Sequence, residues 1–174
     1  MKTHQEFHGR RDKGLDRALN RSGTNCQRGS PAARRKNPRD GALCERCGNR
    51  FHHRHWSLPE PRDRPTRPSW TICPACRLVA GHEFYGRILI RGAEAMGKAD
   101  AIRALVTKFA ARDGVVRPQA RLVSLTQEKD GIEVLTTSQK LAHRVVNALL
   151  RAFGGKAHFA WASRDGELTA TWTW

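Results

Sequence analysis

From about residue 85 onward, apolar positions recur with two periods, one helical and one strand-like. Ile88-Leu89-Ile90 is a short apolar run that reads as a strand. Ile102, Leu105, Val106 and Phe109 follow at helical spacing, with Gly114 as the expected stop. Segments 121–127 and 132–137 then flank Lys129-Asp130-Gly131, and an Asp-Gly step between two strand-like runs predicts a hairpin turn. Leu141, Val145, Ala148, Leu149 and Ala152 define the apolar face of a second helix, which Ser138 is placed to cap and Gly154-Gly155 to end. The last stretch alternates. Ala157, Phe159 and Trp161 face one way, and after Arg164-Asp165-Gly166 the residues Leu168, Ala170, Trp172 and Trp174 oppose Thr169, Thr171 and Thr173.

Helix, strand, Asp-Gly turn and strand thus come twice in succession, so an internal αββ repeat is expected. Two helices laid on one face of a mostly antiparallel sheet bury the apolar side of every element, leaving a polar, Thr-rich outer face. The fold class is therefore α+β, with an αββαββ sandwich over residues 85–174.

The upstream part has no such periodicity. Residues 1–40 carry Arg10, Arg11, Arg34, Arg35 and Lys36 among Gly, Ser, Asn and Pro, with too little apolar surface to offset the entropy of folding; they read as a disordered basic tail. Residues 41–84 contain two cysteine pairs around the stretch Pro59-Glu60-Pro61-Arg62-Asp63-Arg64-Pro65-Thr66-Arg67-Pro68, whose prolines exclude a regular helix and predict an exposed loop.

Charge narrows the partner. Lys and Arg number 32 against 16 Asp and Glu, a formal net charge of +16. Such an excess costs self-repulsion in a small chain and suits a polyanion. No run approaches the length of a membrane span and the first residues lack the apolar core of a signal peptide, so a soluble, cytoplasmic protein without membrane partners is expected.

Cys44-Glu45-Arg46-Cys47-Gly48 and Cys73-Pro74-Ala75-Cys76 carry the chemistry. Two residues between cysteines let both thiolates face one ion while backbone N–H groups point at the sulfurs, and two such turns complete a tetrahedron. Cys44, Cys47, Cys73 and Cys76 are thus the expected ligands of a structural zinc in a four-cysteine ribbon. His52, His53 and His55 follow the first pair and offer another ligand set; a solvated polar cluster or one that touches phosphate is the simpler reading. Phe51, Trp56 and Trp70 read as packing for the ribbon, with base stacking as the functional alternative. Cys26 and His143 show no partner in the sequence. No phosphate-cradling Gly-rich loop, metalloprotease motif or nucleophile elbow occurs, so no enzyme is expected.

The order Cys44-x-x-Cys47, Phe51, Trp56, Trp70, Cys73-Pro74-Ala75-Cys76-Arg77, Gly81, Leu89 and Gly92, and later Gly131-Ile132-Glu133-Val134-Leu135-Thr136-Thr137 with Leu141-Ala142-His143-Arg144, resembles a small bacterial zinc-ribbon family. That family looks related through its zinc knuckles to the archaeal and eukaryotic adaptor that binds the large ribosomal subunit and escorts its export. The resemblance covers about residues 41–174, and the 59–68 stretch departs from it. It implies zinc binding and association with the ribosome or its RNA.

The leading expectation is a non-enzymatic zinc-ribbon RNA-binding protein. Phosphate contacts are expected from Arg10, Arg11, Arg34, Arg35, Lys36, Arg50, Arg54, Arg62, Arg64 and Arg67. The alternatives are a DNA-binding regulator, and a protein-interaction adaptor using Trp172 and Trp174 on a C-terminal edge strand.

Overall fold

The computed structural model describes residues 38–59, 67–162 and 166–174. The basic tail with Arg10, Arg11, Cys26, Arg34, Arg35 and Lys36, most of the Pro/Arg-rich loop including Arg62 and Arg64, and the Arg164-Asp165 turn lie outside them.

The first unit is a small mixed sheet of short strands, β1 (Leu43–Cys44), β2 (Arg50–His52), β3 (His55–Ser57) and β4 (Trp70–Thr71), in the order β3-β2-β1-β4. β1 and β2 and then β2 and β3 pair antiparallel, whereas β1 and β4 run parallel with Leu43 opposite Trp70 and Cys44 opposite Thr71. Helix α1 (Pro74–Ala80) follows directly, with Pro74 at its first position, where a missing N–H costs nothing.

The second unit contains β5 (Gly86–Arg91), a short helix α2 (Ala93–Gly97), α3 (Ala99–Val116), β6 (Leu122–Glu128), β7 (Gly131–Thr136), α4 (Gln139–Phe153), β8 (Lys156–Trp161) and β9 (Leu168–Thr173). Its sheet has the order β6-β7-β5-β9-β8. The β6–β7, β7–β5 and β9–β8 pairs are antiparallel, and β5–β9 is parallel. The α+β class and the mostly antiparallel sheet are thus observed, with a parallel pair in each sheet. Helix followed by hairpin does occur twice. The second strands of the two hairpins, β7 and β9, flank β5 from opposite sides and in opposite directions, so the halves meet the central strand differently.

One core serves this unit. Ile102, Val106 and Ala110 from α3 and Leu141, Val145, Val146 and Leu149 from α4 pack with Ile88, Ile90, Ile132, Val134, Leu168, Ala170 and Trp172 from the sheet, which places both helices on one face. The other face carries Arg87, Arg91 and Glu133 with Thr169 and Thr171, and is laced by Arg87–Glu133 at 2.6 Å and Arg91–Glu128 at 3.3 Å. Asp113, almost fully buried on α3, takes Arg117 at 3.0 Å and Arg144 of α4 at 2.6 Å, a polar tie between the two helices.

Four local expectations need correction. Gly114 does not stop α3; the helix runs on to Val116 and ends ahead of Arg117-Pro118, because the residue before a proline is driven out of the helical region. Ser138 occupies the N-cap of α4 but its side chain makes no capping hydrogen bond. The β6–β7 turn is Lys129-Asp130, and Gly131 opens β7 instead of forming the turn. Trp172 is not on an edge: β9 lies between β5 and β8, and the Trp172 ring is fully buried with Nε1 donating to the Gly154 carbonyl at 3.0 Å. The edge strands are β6 and β8, and Trp174 packs back on Phe153 and Trp172 with the Lys98 ammonium 4.0 Å from its ring centre. His143 also has partners, Asn147 at 3.2 Å and the Phe159 ring.

Candidate metal centre

Local backbone geometry brings the two cysteine pairs together. Parallel pairing of β1 with β4 sets the Cys44 end of one knuckle beside Thr71, two residues ahead of Cys73, and Glu45 N–H donates to the Thr71 carbonyl at 3.0 Å. The first knuckle closes as Gly48 N–H donates to the Cys44 carbonyl at 2.9 Å, with Gly48 at φ +70°, a left-handed conformation that suits glycine. In the second, Cys73 is the N-cap of α1, and its Sγ accepts the Cys76 N–H at 3.4 Å. Cys44 Sγ accepts the Cys73 N–H at 3.3 Å. Each knuckle therefore supplies two sulfurs, and their N–H partners come from the same knuckle or, for Cys73 N–H on Cys44, from the other.

Cys47 Sγ and Cys73 Sγ are 3.7 Å apart, and all four sulfurs lie within 4.8 Å of one another. A tetrahedral ion with metal–sulfur bonds of about 2.3 Å needs sulfurs about 3.8 Å apart, so the cluster fits one such ion. All four cysteines are free of disulfides, and Cys44, Cys73 and Cys76 are buried. Four sulfurs leave no coordination position for a substrate, so this centre can hold structure but offers no open site for chemistry.

The electrostatics call for a cation. Burial opposes ionisation of Cys44, yet N–H groups of Cys73, Cys47 and Arg46 outweigh it and bring that thiol down to about 6. Burial pushes Cys73 up, and burial together with the neighbouring sulfurs pushes Cys76 further up. One thiolate is thus stabilised by the backbone while its neighbours are held protonated, because several negative sulfurs cannot share this space unneutralised. A divalent ion removes that conflict.

The α+β unit supplies part of the answer. Arg121 Nη1 donates to Cys76 Sγ at 3.5 Å, and Gln119 Oε1 accepts the Ala75 N–H at the start of α1 at 3.1 Å. Burial works against the Arg121 charge, but the sulfurs of Cys47, Cys76 and Cys73 outweigh it and raise the guanidinium above its ordinary range. Arg121 is aimed by Thr137: Thr137 Oγ1 accepts the Arg121 N–H at 2.9 Å and donates to the Gln119 carbonyl at 2.7 Å, while Arg121 Nε donates to the Pro118 carbonyl at 2.8 Å. Thr136 meanwhile donates to the Ser138 carbonyl at 2.9 Å. The Thr136-Thr137 end of β7 therefore holds the loop that reaches the cysteines. Neither Arg121 nor Gln119 is apparent from the sequence, since each lies over forty positions from its partner in the second knuckle without a motif.

Replacing Arg121 with Gln removes the only charge donated to these sulfurs among the described hydrogen bonds. Metal affinity is expected to fall by roughly 10–100-fold in chelator competition, the usual cost of losing a group that orients and neutralises metal ligands. Affinity equal to that of the unaltered protein would show that the guanidinium does not act on the centre.

The expected phosphate-binding residues are placed unevenly. Arg50 is half-buried on β2, Arg54 is exposed in the β2–β3 turn, and Arg67 is exposed just ahead of β4 at the opposite edge of the small sheet. Exposed Arg46 and Arg77, one in each knuckle, stand closer to the metal centre than any of them in sequence. Phe51 is buried and packs on half-buried Trp56 with ring centres 5.3 Å apart, as expected, whereas Trp70 is 57% exposed. Trp70 sits on β4, an edge strand among the described residues. No helix among the described residues is long and apolar enough to cross a membrane. Compared with protein-family models, with curated proteins and with solved structures, the chain matches none.

Proposed function

We propose that this chain is a non-enzymatic zinc-ribbon protein that binds structured RNA, with the ribosome as its target in the cytoplasm. Zinc is the ion that four thiolates in a closed tetrahedron select, and the reducing cytoplasm keeps those thiols available. The observation that carries the RNA reading is exposed Trp70, on the strand paired with the Cys44 strand, in a module that also exposes Arg46, Arg54, Arg67 and Arg77. An exposed indole offers a face for an unstacked base, and the exposed guanidinium groups of the module offer phosphate contacts. A net charge of +16 adds the long-range attraction. The resemblance noted above points the same way.

The test is binding to ribosomal RNA and to duplex DNA of equal charge across a salt series. RNA is expected to win. The logarithm of its binding constant is expected to fall with the logarithm of salt at a slope of about −3 or steeper, from counterion release at the exposed arginines. Trp70→Ala is expected to weaken RNA binding about tenfold or more, the worth of one stacked base. Salt-insensitive binding, or a preference for the duplex, would remove the reading.

A further inference from the structure

A second cluster of metal-ligating side chains stands apart from the cysteines, at the far end of the β2–β3 hairpin. Gly41 N–H donates to the Phe51 carbonyl at 2.8 Å and Phe51 N–H donates to the Ala42 carbonyl at 2.8 Å. These bonds clamp Asp40, just ahead of β1, beside His52 at the end of β2. His53 and Arg54 form the hairpin turn with φ +46° and +66°. Successive left-handed residues of this kind close a tight hairpin, a place that asparagine and glycine fill most cheaply and that histidine and arginine occupy at some cost in strain. The turn brings the His53 ring back over His52, with ring centres 4.0 Å apart.

His52 Nδ1 is 3.9 Å from an Asp40 carboxylate oxygen, and ligand atoms of Asp40, His52 and His53 all lie within 4.8 Å of one another. All three side chains are exposed. His55 is directly opposite His52 in the hairpin register, so its side chain emerges on the same face.

We propose that Asp40, His52 and His53 form a second metal site, open to solvent and selective for an exchangeable divalent transition ion such as zinc. Two imidazoles and one carboxylate are a donor set for borderline ions, in contrast to the closed all-sulfur set of the cysteine centre. Three ligands leave coordination positions free for water or an anionic group. The exposed position makes the site weak relative to the cysteine cluster and able to exchange its ion. This inference stands apart from the RNA reading, because it rests on ligand geometry alone.

The experiment uses the full-length protein with cobalt(II) as the probe. The cysteine centre fills first and announces itself by intense thiolate-to-cobalt absorption, which also reports that the module is folded. Calorimetric titration is then continued to the second, weaker ion. The unaltered protein is expected to take up that ion. The double variant His52→Gln, His53→Gln is expected to lose it, and Asp40→Asn to weaken it at least tenfold, both with the thiolate absorption intact. Because Asp40 is exposed, its variant keeps the test valid even if the histidine pair proves necessary for the turn. A second ion bound equally well by both variants, or only one ion taken up by the unaltered protein, would overturn the proposal.

Discussion

Replacing both Cys44 and Cys73 with serine is expected to abolish metal retention and to unfold residues 41–84 while the α+β unit stays folded. The buried cluster of the small module consists of Cys44, Cys73, Ala75 and Cys76, with Cys47, Trp56 and Ile72 packed against it. Its core is therefore largely its ligand set. A module of this size cannot repay its folding entropy from so little apolar surface, and a structural zinc supplies about 10–16 kcal/mol of apparent binding energy in modules of this kind. The larger unit has a separate core that contains none of the four cysteines. Metal analysis after dialysis, which strips a weakly held exchangeable ion, is expected to find one zinc per chain, lost in the double variant. Hydrogen exchange should show protection lost over 41–84 and kept in β5, β7 and α4. Iron in the unaltered protein, or no metal, would refute the assignment.

The same centre predicts a dependence on pH. In the metal-free cluster Cys73 and Cys76 are raised above the ordinary thiol range, so near neutral pH both carry protons that the ion must displace. Cys44, lowered to about 6, is already mostly ionised there and contributes a further proton only in more acidic solution. Affinity therefore rises with pH and falls on acidification, by about a hundredfold per pH unit from the two raised thiols alone. Chelator competition at two pH values measures the slope.

What could be foreseen from the chain followed how local the cause was. The four-cysteine cluster was legible because Cys-x-x-Cys turns are largely self-contained: the N–H groups that face Cys73 and Cys44 come from within a knuckle or from the adjoining one. The hairpins β6–β7 and β8–β9 were legible because alternation at period two marks a half-buried strand. Strand order was not. The path β5–α3–β6 returns to the sheet one strand away from its start, leaving room for β7, and β7–α4–β8 passes over β5 and β9. Which hairpin strand then meets β5 is settled by packing across the whole sheet, and it put Trp172 in the interior although its alternation with Thr171 and Thr173 would serve an edge strand equally well. Arg121 was invisible for the same reason. Its role depends on Thr137 and on the closeness of α1, neither of which leaves a mark around position 121.

Gly131 shows how one residue can be noticed for the wrong cause, and its substitution carries the largest loss of stability expected within the α+β unit. Read as half of an Asp-Gly turn, Gly131 would need only conformational freedom, asparagine would be tolerable and alanine would cost about 1 kcal/mol. In the fold it is the first residue of β7 and faces Arg91 of β5, and a Cβ there would lie 2.1 Å from the Ile90 carbonyl oxygen. The obstacle is backbone, not a flexible side chain, and it belongs to the central strand of the sheet. Relief requires β5 and β7 to part where the core residues Ile90 and Ile132 meet in register. Gly131→Ala is therefore expected to cost about 3 kcal/mol or more, at the upper end of what overpacking costs, and to lower the thermal midpoint by roughly 12 °C or more. Gly97→Ala is the matched control: Gly97 ends helix α2 with nothing within 4 Å of an added Cβ, and its midpoint is expected to stay near that of the unaltered protein. If Gly131→Ala melted alongside Gly97→Ala, the close approach of β7 to β5 would not be a constraint.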